Sequence, residues 1–201
     1  MKRTGFPSAA LITCIALASC SAGADQNRQP SSATSAQQPA AKEEKQRAPV
    51  DPNRFALIVA GAGGEEQFTK KFTSQVMRLY DAVTTRLGFD EKHVFLLTEN
   101  LSGGPEEGTR ANFARASAEE VKRALGTIKS AANAESLVLV VLVGHGSSDN
   151  QQPKFNLVGP DLAAKDYAAL FTALPTKRVV FVNCASSSGD FVKPLSGEGR
   201  I

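Results

Sequence analysis

Apolar residues along the chain gather into short solid runs and longer, spaced stripes. Phe55-Ala-Leu-Ile-Val-Ala60 is a solid run closed by Gly61-Ala-Gly-Gly64, the pattern of a buried strand followed by a tight turn. Phe68, Phe72, Val76, Leu79, Tyr80, Val83 and Leu87 then recur at spacings of 4, 4, 3, 1, 3 and 4, one face of an amphipathic helix ended by Gly88. His93-Val-Phe-Leu-Leu97 predicts a second strand. The stretch from Thr98 to Ala116 is interrupted by several glycines and a proline and reads as a long loop, of a length that often carries function. Ser117, with Glu120 three residues on, is a capping box that opens a helix with Val121, Leu125 and Ile128 inward.

Leu137 to Val143 is unbroken apolar sequence. Continuous hydrophobicity, as opposed to alternation, marks a strand covered on both faces, at the centre of a parallel sheet. Asn156-Leu-Val158 reads as a minor extended piece, Ala163 to Leu174 as a helix, and Val179-Val-Phe-Val182 as a fourth core strand. Strands and helices that alternate in this way predict an α/β fold: an open, mostly parallel sheet with helices on both sides.

None of this patterning occurs between residues 20 and 52. Residues 20–52 are rich in Ser, Ala, Gln and Pro and contain no aromatic residue, so they bury too little apolar surface to offset the entropy of ordering. The expectation is a flexible tether, spanning roughly 30 Å on average as a random coil. Residues 1–19 have the form of an export signal. Lys2 and Arg3 make a positive start, and Ala9 to Ala18 an apolar segment too short to span a bilayer. Leu17-Ala18-Ser19-Cys20 resembles the lipobox of bacterial lipoproteins. The resemblance implies cleavage before Cys20, diacylglycerol on its thiol and acylation of the new amino terminus, which anchors the protein to a membrane of the cell envelope. Ser21 stands where lipoproteins retained at the inner membrane often carry Asp, which favours the outer membrane in a Gram-negative cell.

Residues 53–201 then form one domain, and 42% hydrophobic residues suffice for a single core. Of the formal net charge of +3, Lys2 and Arg3 supply two, so the exported part is close to neutral and its basic residues are scattered. That excludes the electrostatic footprint of a nucleic-acid binder. Cys14 lies in the signal segment and Cys20 would be lipidated, which leaves Cys184 as a lone thiol, either buried and inert or functional. His93 and His145 are the only histidines and show no paired ligand spacing, so no metal is expected. His93 reads as a surface residue, and the Phe68–Leu87 stripe as core. Gly61-Ala-Gly-Gly-Glu-Glu66 lacks the third glycine of a dinucleotide fingerprint, and no cofactor is implied. The sequence implies no particular oligomeric state. Gly199-Arg200-Ile201 resembles the opening of a further strand, so the domain is expected to be truncated at its C-terminus.

Candidate chemistry lies at the carboxyl ends of two predicted strands, where open parallel sheets form their sites. Strand 137–143 runs into Gly144-His145-Gly146, and strand 179–182 into Asn183-Cys184-Ala185-Ser186-Ser187-Ser188-Gly189. An imidazole beside a thiol or hydroxyl pairs a general base with a nucleophile, and the unobstructed N–H of Gly146 could stabilise an oxyanion. Asp149 and Asp190 are further candidates, as residues that orient His145.

The order of these motifs resembles the caspase–legumain–gingipain clan of cysteine peptidases. Its members place His-Gly after one core strand and a cysteine after the next, on a three-layer α/β/α sandwich. The resemblance spans roughly residues 54–201, lies nearer the legumain-like branch because of Ser188-Gly189, and implies a peptide or protein substrate. The nucleophile departs from the pattern. Legumain-like members carry Ala-Cys-x-Ser-Gly, and counting back from Gly189 puts Ser186 at the cysteine position, whereas counting forward from the strand end lands on Ala185. Three readings stand: Cys184 as nucleophile with His145, Ser186 in its place, or an inactive pocket in a domain that binds or scaffolds at the membrane surface. No Arg follows the first strand, so no P1 preference is assigned.

Overall fold

The structure, a computed structural model, describes residues 47–100, 112–149 and 152–200. The signal segment, Cys20, most of the tether, residues 101–111 of the long loop and Ile201 lie outside the described residues.

Five strands form a parallel sheet: β1 (Arg54–Ala60), β2 (Val94–Thr98), β3 (Phe113–Arg115), β4 (Leu137–Val143) and β8 (Val179–Asn183), in the order β3-β2-β1-β4-β8. Helix α1 (Glu66–Arg86) covers one face; α2 (Ala118–Ala131) and α3 (Ala164–Thr172) cover the other. The fold is therefore an α/β three-layer sandwich with a parallel central sheet, the class expected from the sequence. Along β1 the side chains alternate between the layers. Ala56, Ile58 and Ala60 pack with Phe72, Val76, Tyr80 and Val83 of α1, while Phe55, Leu57 and Val59 pack in the core shared by Val121, Leu125 and Ile128 of α2 and Tyr167 and Phe171 of α3. A strand buried on both sides has no polar position to spare, which explains its unbroken apolar sequence.

The helix boundaries follow local chemistry. Gly88, at φ 69°, takes the left-handed conformation that ends α1 where a side chain would be disfavoured. The Ser117 hydroxyl accepts the Glu120 N–H at 3.3 Å, capping α2.

Several features differ from the sequence expectation. Within the stretch from Thr98 to Ala116, which reads as a loop, Phe113–Arg115 is strand β3 at the edge of the large sheet, paired with β2. Residues 144–149 are not simply a loop. Gly146–Asp149 is β5, which pairs antiparallel with β6 (Gln152–Phe155), and β6 pairs with β7 (Leu162–Ala163) in a small second sheet. Asn156–Val158, expected to be extended, follows that strand. A short helix, α4 (Val192–Leu195), comes after β8 behind a 3-10 turn at Ser188–Phe191. His93 is not a surface residue: it is half-buried, stacked on Phe55 at 4.5 Å, with its Nδ1 buried and unpartnered. The backbone of Gly199 accepts the Val179 N–H at 3.2 Å, and Arg200 bridges Val179 in parallel, so these residues pair along the outer edge of β8.

Candidate active site

Strands β2 and β3 lie on one side of β1, and β4 and β8 on the other, so the chain direction across the sheet reverses between β1 and β4. In doubly wound sheets the loops leaving the two strands at that point diverge and open a crevice. Those loops are Gly61–Gly64 and Gly144–Gly146, which puts His145 at the switch point.

The faces follow from alternation. Leu137, Leu139 and Val143 of β4 face α1. His145, two residues beyond Val143, meets the same helix: its ring lies edge-on to Phe68 at 5.0 Å and to Phe72 at 5.1 Å. Val180 of β8 pairs with Leu139, so Val180, Val182 and Cys184 face that side too. The Cys184 N–H donates to the Leu142 carbonyl at 2.9 Å, which extends the ladder by one residue and fixes the backbone beneath the thiol. Cys184 is exposed, and Val182 beside it is 40% exposed. The lone thiol is therefore not a buried, inert one.

Ala185 is buried and points away from Cys184 into the α2–α3 core. Ser186 is exposed and follows the ladder, and Ser187, at φ 58°, turns the chain into the 3-10 helix. The Asn183 side chain accepts the Ala185 N–H at 3.0 Å and stiffens this exit. Asp190 is exposed and makes no hydrogen bond to His145; the side chain of Asp149 lies outside the described residues.

The two segments touch at Gly146. A Cβ there would lie 2.3 Å from the Ser186 carbonyl oxygen and 3.2 Å from the Ala185 Cβ, so only glycine admits this approach. The Asn156 N–H donates to the His145 carbonyl at 3.0 Å. In an antiparallel ladder that bond makes Gly146 and Phe155 the pair that exchanges none, so the Gly146 N–H points to the open edge of β5 and stays available to an oxyanion.

Asn156 and Glu99 were not singled out from the sequence. Asn156 also accepts the Ala62 N–H on its carbonyl at 3.0 Å and the Ser147 hydroxyl on its side chain at 3.1 Å, joining three segments around His145. Glu99, at the end of β2, accepts the Gly63 N–H at 2.9 Å and the Thr69 hydroxyl at 2.6 Å. Those two hydrogen bonds, Thr69 first, together with the Arg115 charge, hold its carboxyl below the usual carboxylate range. An acid directly after an apolar strand was the available signal. Phe68 and Phe72, core positions by their spacing, also seat the imidazole. Among the described residues, no three His, Cys, Asp or Glu converge to hold a metal ion, and no helix is long and apolar enough to cross a membrane.

No protein-family model matches the chain, and no curated protein matches it. Among solved structures, the crystal structure of protein GSU0716 from Geobacter sulfurreducens is similar over 67% of this chain and 50% of its own, at 15% identity and a TM-score of 0.49. The chain thus spans half the length of that protein.

Proposed function

We propose that the chain is an envelope lipoprotein, anchored through Cys20, whose domain is a cysteine peptidase with Cys184 as nucleophile and His145 as general base. The observation that carries this reading is the placement of an exposed thiol and an imidazole on one face, at the ends of adjacent parallel strands, with the Gly146 N–H free nearby. It also favours Cys184 over Ser186, because Cys184 is held in the ladder and Ser186 lies beyond it. The resemblance to the caspase–legumain clan supplies the reaction class.

In this mechanism His145 takes the Cys184 proton and the thiolate attacks a peptide carbonyl carbon. The carbonyl oxygen gains the negative charge and accepts the Gly146 N–H. As the C–N bond breaks, His145 returns the proton to the leaving amine. Water, deprotonated by the same imidazole, then cleaves the thioester and frees the thiol.

The test treats the full chain with broad peptidyl electrophiles for thiols and a fluorophosphonate for serines, and locates adducts by peptide mass spectrometry. An adduct on Cys184 that disappears in His145→Ala supports the assignment. The same dependence on Ser186 transfers the nucleophile's role to that hydroxyl. An adduct indifferent to His145 sinks the peptidase reading. Incorporation of labelled palmitate that is lost in Cys20→Ser tests the anchor.

A second reading, an inactive domain that binds partners at the membrane surface, is favoured by the seat of His145. Two phenylalanines hold the ring, and no described carboxylate orients it.

A further inference from the structure

We infer that Glu99 is a positioning residue for His145, acting through the Gly61–Gly64 loop and the first turn of α1. Its importance for catalysis rests on the peptidase reading; its effect on the imidazole does not.

Glu99 touches neither His145 nor Cys184. One carboxylate oxygen, Oε2, accepts both the Gly63 N–H and the Thr69 hydroxyl, and so ties the loop after β1 and the start of α1 to the end of β2. The two tied segments lie in direct contact, since a Cβ on Gly63 would fall 2.4 Å from both the backbone nitrogen and the hydroxyl of Thr69. Each then leads to His145 by its own route. Thr69 follows Phe68, the partly buried ring against the imidazole edge, and precedes Phe72 by less than one helical turn. Gly63 follows Ala62, whose N–H is held by the Asn156 carbonyl, and the Asn156 N–H in turn holds the His145 carbonyl. The side-chain seat and the backbone of His145 are therefore both anchored to the same carboxylate.

Phe68 depends on this tie more than Phe72 does. Phe72 is buried in the α1 core, whereas Phe68 only packs against its margin. Without Glu99, the first turn of α1 keeps its own backbone bonds from Phe68 and Thr69 to Glu65 but loses its tether to β2. The ring is then free to move off the imidazole.

The test uses proton NMR of the full chain in detergent with labelled histidine. Only two imidazoles contribute, and His145→Ala assigns them. His145 carbons and protons lie within the ring currents of Phe68 and Phe72. His93, stacked on Phe55 at the start of β2, is an internal control at the opposite end of the strand. In Glu99→Ala the His145 resonances should move toward those of a free imidazole while His93 stays in place. Glu99→Gln and Thr69→Ser keep an acceptor and a hydroxyl respectively and should restore the wild-type positions; Thr69→Val should behave like Glu99→Ala. His145-dependent labelling of Cys184 should fall on the order of tenfold in Glu99→Ala, as small displacements of a reacting group do.

Unchanged His145 resonances in Glu99→Ala would overturn the inference. So would equal movement of His93, because that reports general loosening. A shift confined to His145, with no His145-dependent adduct in any variant, would uphold the positioning role and remove the peptidase reading.

Discussion

Gly146→Ala tests the contact on which the whole site depends. The new Cβ would meet the Ser186 carbonyl oxygen at 2.3 Å, against the 3.0 Å below which real Cβ contacts essentially never fall, so one segment must yield by at least 0.7 Å. It would also press on the Lys154 carbonyl at 3.1 Å and the Ala185 Cβ at 3.2 Å. None of these is the far end of a flexible side chain. The Cys184 amide two residues back is bonded to β4, Ala185 is buried, and Gly146 itself is in the β5–β6 ladder. Forced overpacking of this kind costs about 1–3 kcal/mol. At about 2–4 °C per kcal/mol for a domain of this size, Tm should fall by roughly 2–12 °C in a thermal melt followed by circular dichroism. The loss of His145-dependent labelling should exceed what the melt alone explains, because the displacement separates His145 from Cys184. Gly144→Ala is the comparison: its nearest contacts, the Phe155 ring at 3.1 Å and the Gly61 backbone at 3.2 Å, ask for only a few tenths of an ångström, so its Tm should fall less. A Gly146→Ala protein that melts within a degree of the wild type and labels normally would refute the claim that these segments are in contact.

Three further outcomes are expected. Tyr167 is fully buried with no partner for its hydroxyl, and burial pushes its ionisation well above the ordinary range, with Asp161 and Asp166 adding to the effect. Tyr167→Phe removes an unsatisfied polar atom and should raise stability by about 1 kcal/mol in urea unfolding, in contrast to most core changes. Gly126→Ala lies inside α2 with nothing within 4 Å of the added Cβ, and should stabilise by about 0.5–1 kcal/mol in the same assay. The Glu99 carboxyl faces Thr69 of α1, the Gly63 amide and, more remotely, Arg115 of β3, and is held below its ordinary 4.5. A depressed acid contributes fully above its unfolded value and loses that contribution as pH falls through its folded value. The Tm advantage of the wild type over Glu99→Gln should therefore be constant near neutrality and close as pH falls below 4.5.

Four strands of the large sheet are readable because burial leaves an unbroken apolar run, as in Leu137–Val143, whose predicted limits match β4, whereas the short, partly exposed edge strand β3 carries no such run and reads as loop. The small sheet is not readable in this way. Gly146-Ser-Ser-Asp149 and Gln152-Pro-Lys-Phe155 carry little apolar patterning; their pairing comes from the antiparallel register and from Phe155 turning into the core. The same limit applies at the site. His145 and Cys184 stood out as chemistry at strand ends, and the sequence left open whether those strands were neighbours. Glu99 acts by hydrogen bonds across 30 or more residues, to Thr69 and Gly63, and Asn156 largely by main-chain groups, neither of which leaves a local signature. His93 meets a related limit: its polar neighbours Glu91 and Lys92 predict exposure, while the ring stacks on a residue of another strand.

Under the proposed peptidase reading, the bond from the Cys184 amide to Leu142 has a consequence for speed. A nucleophile's own N–H commonly serves as one of two donors to the developing oxyanion, and here that donor already belongs to the sheet. Charge would build up against Gly146 alone. A missing donor costs about a hundredfold to a thousandfold in rate. The same shortfall applies when water attacks the thioester. A domain built this way would turn over slowly and hold its acyl group for long periods, which suits a protein that marks or captures its target more than one that digests it.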